Sequence, residues 1–258
     1  ILYLLTCVGL CWSSCTNEVD EFIGNVEPST RSVSTALNAN LASLFTGGAP
    51  TLTSAEIKEV NDAYAKMTSI NCYRNIDEAV RNKTSYAGTI FLDDTYASAY
   101  FRKGSLAFPP YGILASSMEH EFIHMYQRDV QGKKVDTDKE KRDTGMMEFE
   151  LAFYQGIIRY IHAGYSWTFK GEDGDPSYQS LWTSGLTDPS LIPQYEREFQ
   201  TYVASICANG KPTSIDINEF VKWSNIFGEY SRGYSGKGYK FGNYDYGTSC
   251  INSLLKLY

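Results

Sequence analysis

Residues 113–128 read ILASSMEHEFIHMYQR and contain an H-E-x-x-H motif that runs from His120 to His124. Apolar residues flank the motif and predict a buried helix over this stretch. Side chains four residues apart project from the same face of a helix, about one turn apart, so both imidazoles can bind one ion. Neutral imidazole is a good ligand for Zn2+. The stretch therefore predicts a zinc site in which His120 and His124 are two of the ligands.

Glu121 directly follows the first histidine of the motif. From that position a carboxylate can reach a water held in the open coordination position of the metal and take its proton. The chain has 3 His, and two of them lie in the motif. Burying His120, Glu121 and His124 on one helix without a metal would be costly. We therefore expect Glu121 to be the general base that activates a zinc-bound water for attack on a polarised carbonyl.

A third ligand is expected on a later helix, because a catalytic zinc generally has three protein ligands and one open position. The remaining histidine, His162, lacks the glycine-containing extension of the longer histidine motifs. Residues 147–152, MEFELA, belong to a second predicted helix at 145–162 and offer two carboxylates. Glu150 lies near the middle of the apolar face of that helix. Glu148 lies on its flank, which suits a ligand that faces a wet cleft.

The two segments HEFIHMYQ (120–127) and MEFELAFYQ (147–155) resemble the gluzincin peptidases, in which the third ligand is a Glu on the helix after the H-E-x-x-H helix. More narrowly, they resemble a group of uncharacterised exported lipoproteins of Bacteroides-type bacteria. The gluzincin register E-x-x-A implies Glu148 as the third ligand, although Leu151 stands where Ala is usual. Glu150 is the alternative.

The resemblance implies a zinc-dependent metallopeptidase that hydrolyses peptide bonds, with a peptide or protein as its substrate. Zincins also place an edge strand upstream of the metal helix, and a peptide substrate can add to that edge as a further strand. Residues 104–108 are the best candidate for this edge strand.

The N-terminal residues 1–12, ILYLLTCVGLCW, form an apolar run of signal-peptide length, too short for a membrane-spanning helix of about 20 residues. Small residues precede Cys15 and a polar stretch follows it, which resembles a bacterial lipoprotein signal. We therefore expect a signal peptide over 1–15, lipidation at Cys15 and a polar tether over 16–45. The protein is expected to be exported and lipid-anchored to a bacterial membrane, in the periplasm or at the cell surface.

The composition and the remaining pattern predict one α+β domain over residues 46–258. The formal net charge of -7 excludes a broad basic surface, so nucleic acid is not an expected partner. A helix at 54–67, capped by Ser54, is followed by three short strands, and helices come after the metal helix. The predicted strands are 89–92, 99–102 and 105–108, and the later helices are 145–162, 193–208, 217–227 and 249–257. The resemblance to the gluzincins implies that this α+β domain is a zincin-like catalytic domain with a small mixed sheet, an active-site helix and a mainly helical C-terminal part.

A second hypothesis is a non-catalytic zinc-binding surface lipoprotein that uses a zincin fold for binding. Its interaction surface would be the tyrosine- and glycine-rich tail that contains Tyr234, Tyr239, Tyr244 and Tyr246. Glu121 favours the enzyme, because binding zinc does not require that carboxylate. The cysteines of the predicted mature domain, Cys72, Cys207 and Cys250, permit one disulfide and leave one thiol.

Overall fold

The chain forms an α+β fold, as the sequence predicts, in which helices precede and follow a small sheet. A computed structural model describes residues 36–133, 141–162, 188–230 and 236–258. The predicted signal peptide with Cys15, most of the predicted tether, and Tyr234 lie outside the described residues. Within the described ranges, no helix has both the length and the apolar character that crossing a membrane requires.

Three helices lie before the sheet: α1 (Ala39–Leu44), α2 (Ser54–Ser69) and α3 (Asn71–Lys83). The N-cap of α2 is Thr53, and the predicted cap Ser54 is the first helical residue instead. Thr53 accepts a hydrogen bond from the Glu56 backbone, and the Glu56 carboxylate accepts one from the Thr53 backbone. This reciprocal capping box satisfies two amide donors that a helix start leaves unpaired.

The folded domain begins before residue 46, where the sequence analysis ends the tether. Leu41, Leu44 and Phe45 are fully or almost fully buried in the main core. The Tyr86 amide donates to the Leu44 carbonyl, and the Thr46 amide donates to the Tyr86 carbonyl. The domain boundary is therefore corrected to a position at or before α1, because these apolar side chains are withdrawn from water.

The sheet contains β1 (Ile90–Leu92), β2 (Tyr100–Arg102) and β3 (Ser105–Phe108), each within one residue of its predicted bounds. The strand order is β1-β3-β2, with β3 parallel to β1 and antiparallel to β2. Lys103 and Gly104 both have positive φ, at 51° and 78°, and make the two-residue turn that joins β2 to β3. The prediction of residues 104–108 as the edge strand is wrong, because β3 has a partner on each side. The edge strand beside the metal helix is β2.

The helix α4 (Ala115–Met125) carries the H-E-x-x-H motif. It packs against α2, α3 and β2. Its apolar residues Met118, Phe122, Ile123 and Met125 are completely buried. The predicted helix continues to residue 128, whereas the chain widens after Met125 into a π-helical turn, Tyr126–Val130. In that turn the Gln131 amide donates to the Tyr126 carbonyl at 3.0 Å.

The C-terminal part is mainly helical, as predicted. It contains α5 (Lys141–His162), α6 (Ile192–Ile206), α7 (Ile217–Tyr230) and α8 (Ser249–Leu255), with a short hairpin of β4 (Cys207–Ala208) and β5 (Lys211–Pro212). An aromatic cluster joins α5, α6 and α7, and its members are Phe149, Phe153, Phe199, Phe220 and Trp223. This packing holds α5 against α6 and α7, and α5 also packs against α4.

Candidate metal centre

The two motif histidines meet on one face of α4, as the i, i+4 spacing predicts. Their Nε2 atoms are 3.1 Å apart, and their rings meet edge to face with centroids 4.8 Å apart. The apolar residues of α4 pack into the core and fix the orientation of the helix, so both rings point to the same partly exposed side. The fold therefore holds two imidazole nitrogens at one point on its surface.

Glu148 completes this group from α5. One of its carboxyl oxygens lies 3.3 Å from His124 Nε2, and the other lies 3.6 Å from His120 Nε2. Donor atoms of the three residues all lie within 4.8 Å of one another. Among the described residues, this is the one cluster of three or more His, Cys, Asp or Glu side chains with the spacing of a metal site.

Glu150, the alternative third ligand, is not part of this cluster. It is completely buried, and its Oε2 accepts hydrogen bonds from Gln127 Nε2 at 2.8 Å and from the Tyr246 hydroxyl at 2.9 Å. Two residues correspond to about 200° around a helix, so Glu148 and Glu150 leave α5 in nearly opposite directions. The structure thus brings His120, His124 and Glu148 together and gives Glu150 a different set of contacts.

The donor set and its spacing fit a zinc ion. Ligands at about 2.0 to 2.1 Å from a tetrahedral ion stand about 3.3 to 3.4 Å from one another. The observed separations of 3.1, 3.3 and 3.6 Å lie around that value. Two neutral imidazoles and one carboxylate are the donor types of many catalytic zinc sites. The side chains of His120, His124 and Glu148 remain 21, 16 and 20% exposed, so solvent can reach them.

The charges of the cluster are strongly coupled. Burial and the neighbouring His124 lower the pKa of His120 to about 4. Burial also acts to lower the pKa of His124, but the adjacent Glu148 carboxylate outweighs it and raises that pKa to about 9. A cation shared among His120, His124 and Glu148 is thus the charge state that this arrangement stabilises.

Glu121 lies beside the cluster with only 4% of its surface exposed. Burial is the main reason that its pKa rises to about 7, and the negative charge of Glu148 raises it further. The nearby His124 and a hydrogen bond with the Phe101 backbone act in the opposite direction. Phe101 belongs to the edge strand β2, so Glu121 lies between the histidines and that edge. A carboxyl group with a pKa near neutrality can both accept and return a proton.

His162 lies at the far end of α5 and takes no part in the cluster, as the sequence predicts. Its ring contacts the ring of Tyr258, with centroids 5.7 Å apart. Sequence reasoning missed Gln127, which contacts His124, and Tyr246, which contacts Glu150 behind the cluster. A glutamine three residues after the second histidine was visible in the sequence as a possible hydrogen-bond partner on the same helix face. The prediction that Tyr246 lies on the interaction surface of the second hypothesis is wrong, because Tyr246 is buried at 6% exposure.

No family model, curated protein or solved structure matches this chain. The functional assignment therefore rests on the geometry of four side chains, His120, Glu121, His124 and Glu148. The likeness to gluzincins and to exported lipoproteins stays a prediction.

Proposed function

We propose that the chain is a zinc-dependent metallopeptidase with a zincin-like domain. The observation that carries the proposal is the convergence of His120, His124 and Glu148, with the buried Glu121 carboxyl beside them and the edge strand β2 next to it. A site that only stored zinc would need the three donors but not a fourth, protonatable carboxyl at its side.

His120, His124 and Glu148 would hold the metal. Zinc in such a site lowers the pKa of a bound water and polarises a carbonyl group. Glu121 would act as the general base and then return the proton to the leaving amine. Its burial supports this role, because burial raises the pKa of the Glu121 carboxyl and makes the carboxylate a better proton acceptor.

The edge strand β2 supports a peptide as the substrate. Among the described residues, no strand pairs with the outer edge of β2. A peptide added to that edge would run past Glu121, which contacts the Phe101 backbone. Three exposed apolar side chains, Tyr96, Tyr111 and Leu114, lie on the segments that lead into β2 and α4.

The decisive variant is Glu121→Gln, which keeps the shape of the side chain and removes its basicity. We expect the full chain to cleave members of a broad peptide library when zinc is present. The variant should bind zinc as the wild type does and lose about 100-fold or more of the cleavage rate, the usual contribution of a general base. Glu59→Gln, the same change at an exposed position of α2, serves as the matched control. Full activity in Glu121→Gln would refute the proposed mechanism.

The same measurement tests the second hypothesis, a non-catalytic zinc-binding surface lipoprotein. A chain that binds zinc but cleaves nothing in the library would be a zinc-binding surface protein rather than an enzyme.

The proposal also includes export and lipid anchoring at Cys15. Mass spectrometry of the N-terminal peptide of the mature protein tests this part: an acylated Cys15 supports it, and an unmodified one contradicts it.

A further inference from the structure

Gln127 contacts His124 on the side away from the cluster. Its Oε1 lies 2.9 Å from Nδ1 of His124. Gln127 is completely buried, and its Nε2 donates to the Met147 carbonyl at 3.0 Å and to Glu150 Oε2 at 2.8 Å. An amide has one oxygen that accepts and one nitrogen that donates. The Met147 carbonyl and Glu150 Oε2 are both acceptors, so the amide nitrogen of Gln127 faces them. The amide oxygen of Gln127 therefore faces His124.

This orientation fixes the hydrogen on His124. An amide oxygen only accepts, so Nδ1 must carry the hydrogen that Gln127 receives. A neutral imidazole has a single N–H, which leaves the lone pair on Nε2. Nε2 is the atom that faces His120 and Glu148. The Gln127 side chain therefore selects the form of His124 that can bind a metal at the cluster.

Glu150 and Tyr246 in turn hold Gln127. The same Glu150 oxygen that accepts from Gln127 accepts from the Tyr246 hydroxyl. Lys133 makes two contacts with Tyr246. Its Nζ donates a hydrogen bond to the Tyr246 carbonyl at 2.8 Å and lies 3.8 Å from the centre of the tyrosine ring. Glu150 is 96 residues from Tyr246 in the chain, so the C-terminal segment is tied to the back of the site.

We infer that Gln127, held by Glu150 and Tyr246, is a positioning residue that fixes the ring and the hydrogen of His124 for metal binding. The inference rests on the proposed function, since it takes His124 to be a metal ligand. Without Gln127 the His124 ring can turn, and its hydrogen can move to Nε2. Loss of such a partner behind a metal ligand typically weakens metal binding by about 10- to 100-fold.

The test compares Gln127→Leu with the wild-type full chain. Leucine fills a similar buried space and can neither accept from His124 nor donate to Glu150. We expect zinc affinity, measured by competition with a coloured chelator, to fall about 10- to 100-fold. We also expect the visible absorption of the cobalt-loaded protein to change, because that spectrum reports the geometry of the ligands. The denaturant midpoint of the metal-free protein is measured in parallel as a control for stability.

Two further variants separate positioning from packing. Glu150→Gln retains an oxygen that can accept from Gln127 and Tyr246, and is expected to bind zinc nearly as tightly as the wild type. Tyr246→Phe removes only the outermost hydrogen bond, and is expected to show a smaller loss in the same direction. If Gln127→Leu does not fold, Tyr246→Phe still tests the inference, and a zinc affinity of Tyr246→Phe equal to that of the wild type would overturn it.

The outcomes also separate this inference from the proposed function. Wild-type affinity and an unchanged cobalt spectrum in Gln127→Leu would overturn the positioning role and leave the zinc enzyme standing. A wild-type chain that binds no zinc would overturn both, since His124 would then have no ion to face.

Discussion

Nε2 of His120 and Nε2 of His124 lie 3.1 Å apart, and a carboxylate oxygen of Glu148 lies 3.3 Å from Nε2 of His124. At this distance two imidazole lone pairs cannot face each other, so either a hydrogen on one of the two nitrogens or a metal ion must lie between them. A metal ion at this point would meet both imidazole nitrogens and the Glu148 carboxylate at once.

The first prediction is that zinc stabilises the folded chain. A ligand that binds only the native state adds about 2.7 kcal/mol to the free energy of unfolding at 100 times its dissociation constant. We expect this gain in denaturant unfolding curves recorded with zinc, and its loss when a chelator is added. His124→Ala should abolish the gain. His162→Ala should retain it, because His162 contacts Tyr258 at the far end of α5.

The second prediction concerns Glu148, the proposed third ligand. Glu148→Ala removes the carboxylate that faces both histidines, and zinc affinity should fall by at least about tenfold, which is 1.4 kcal/mol of binding free energy. Glu219→Ala is the control, since Glu219 lies in the first turn of α7 and pairs with the exposed Lys222. Zinc affinity is measured by chelator competition for both variants. Unchanged affinity in Glu148→Ala would show that the ligand set is wrong.

Local patterns were enough to predict the strands and the metal helix. The motif requires that His120 and His124 share a face, and short runs rich in aromatic and aliphatic residues, separated by Asp93-Asp94 and Lys103-Gly104, mark the strands to within one residue. The helix α3 was missed, although Tyr73, Ile76 and Val80 have helical spacing and are buried. Its many Asn, Asp, Glu, Arg and Lys residues obscured that narrow apolar stripe.

Features that depend on distant pairing could not be read from the sequence. In the strand order β1-β3-β2, the strand β3 pairs with β1 in parallel as well as with β2 across the hairpin turn. The parallel pairing joins segments that are not neighbours in the chain, so no local pattern predicts it. The contact between Glu150 and Tyr246 spans 96 residues and requires the whole C-terminal part to be in place. The choice between Glu148 and Glu150 as ligand likewise depends on where α4 lies against α5.

The third prediction concerns the thiols. Cys72, Cys207 and Cys250 are free thiols, so the single disulfide that the sequence permits is not formed in this structure. Cys72 and Cys250 are 1 and 0% exposed, and burial raises the pKa of Cys72 to about 12. Burial, together with the nearby Glu150 carboxyl, also raises the pKa of Cys250. The reactive thiolate is therefore scarce at both sites at neutral pH.

Alkylation of the native protein should accordingly modify Cys207, which is partly exposed, well before Cys72 and Cys250. Mass spectrometry of proteolytic peptides measures each site separately. In denaturant all three should react alike. Rapid modification of Cys72 in the native state would contradict the burial described here.

The last prediction concerns the support of the metal helix by α2 and α3. Asp77 of α3 is 1% exposed, and its Oδ2 accepts from the Tyr64 hydroxyl at 2.8 Å and from Arg81 Nε at 2.9 Å. The Tyr64 ring lies 6.2 Å from the ring of Phe122, which is between the two motif histidines. Asp77 therefore braces the back of α4 through Tyr64.

Removing one member of a buried ionic group leaves the others unpaired, which costs about 3 to 5 kcal/mol. Arg81 retains 23% exposure and can recover water, so we expect Asp77→Ala to lose about 2 to 3 kcal/mol of unfolding free energy. As a control, Asp62→Ala breaks the ion pair between Asp62 and Lys58, whose side chains are 57 and 53% exposed, respectively. This change should lower the free energy of unfolding by less than about 1 kcal/mol. Denaturant unfolding of the metal-free protein measures both.

A double-mutant cycle between Asp77→Ala and Tyr64→Phe isolates the hydrogen bond between them, because residues in contact give non-additive changes. We expect the double variant to be more stable than the sum of the two single losses predicts, since Tyr64→Phe removes the hydroxyl that Asp77→Ala leaves unpaired in the core. Strict additivity would mean that the two side chains act independently, and that α3 does not support α4 through this contact.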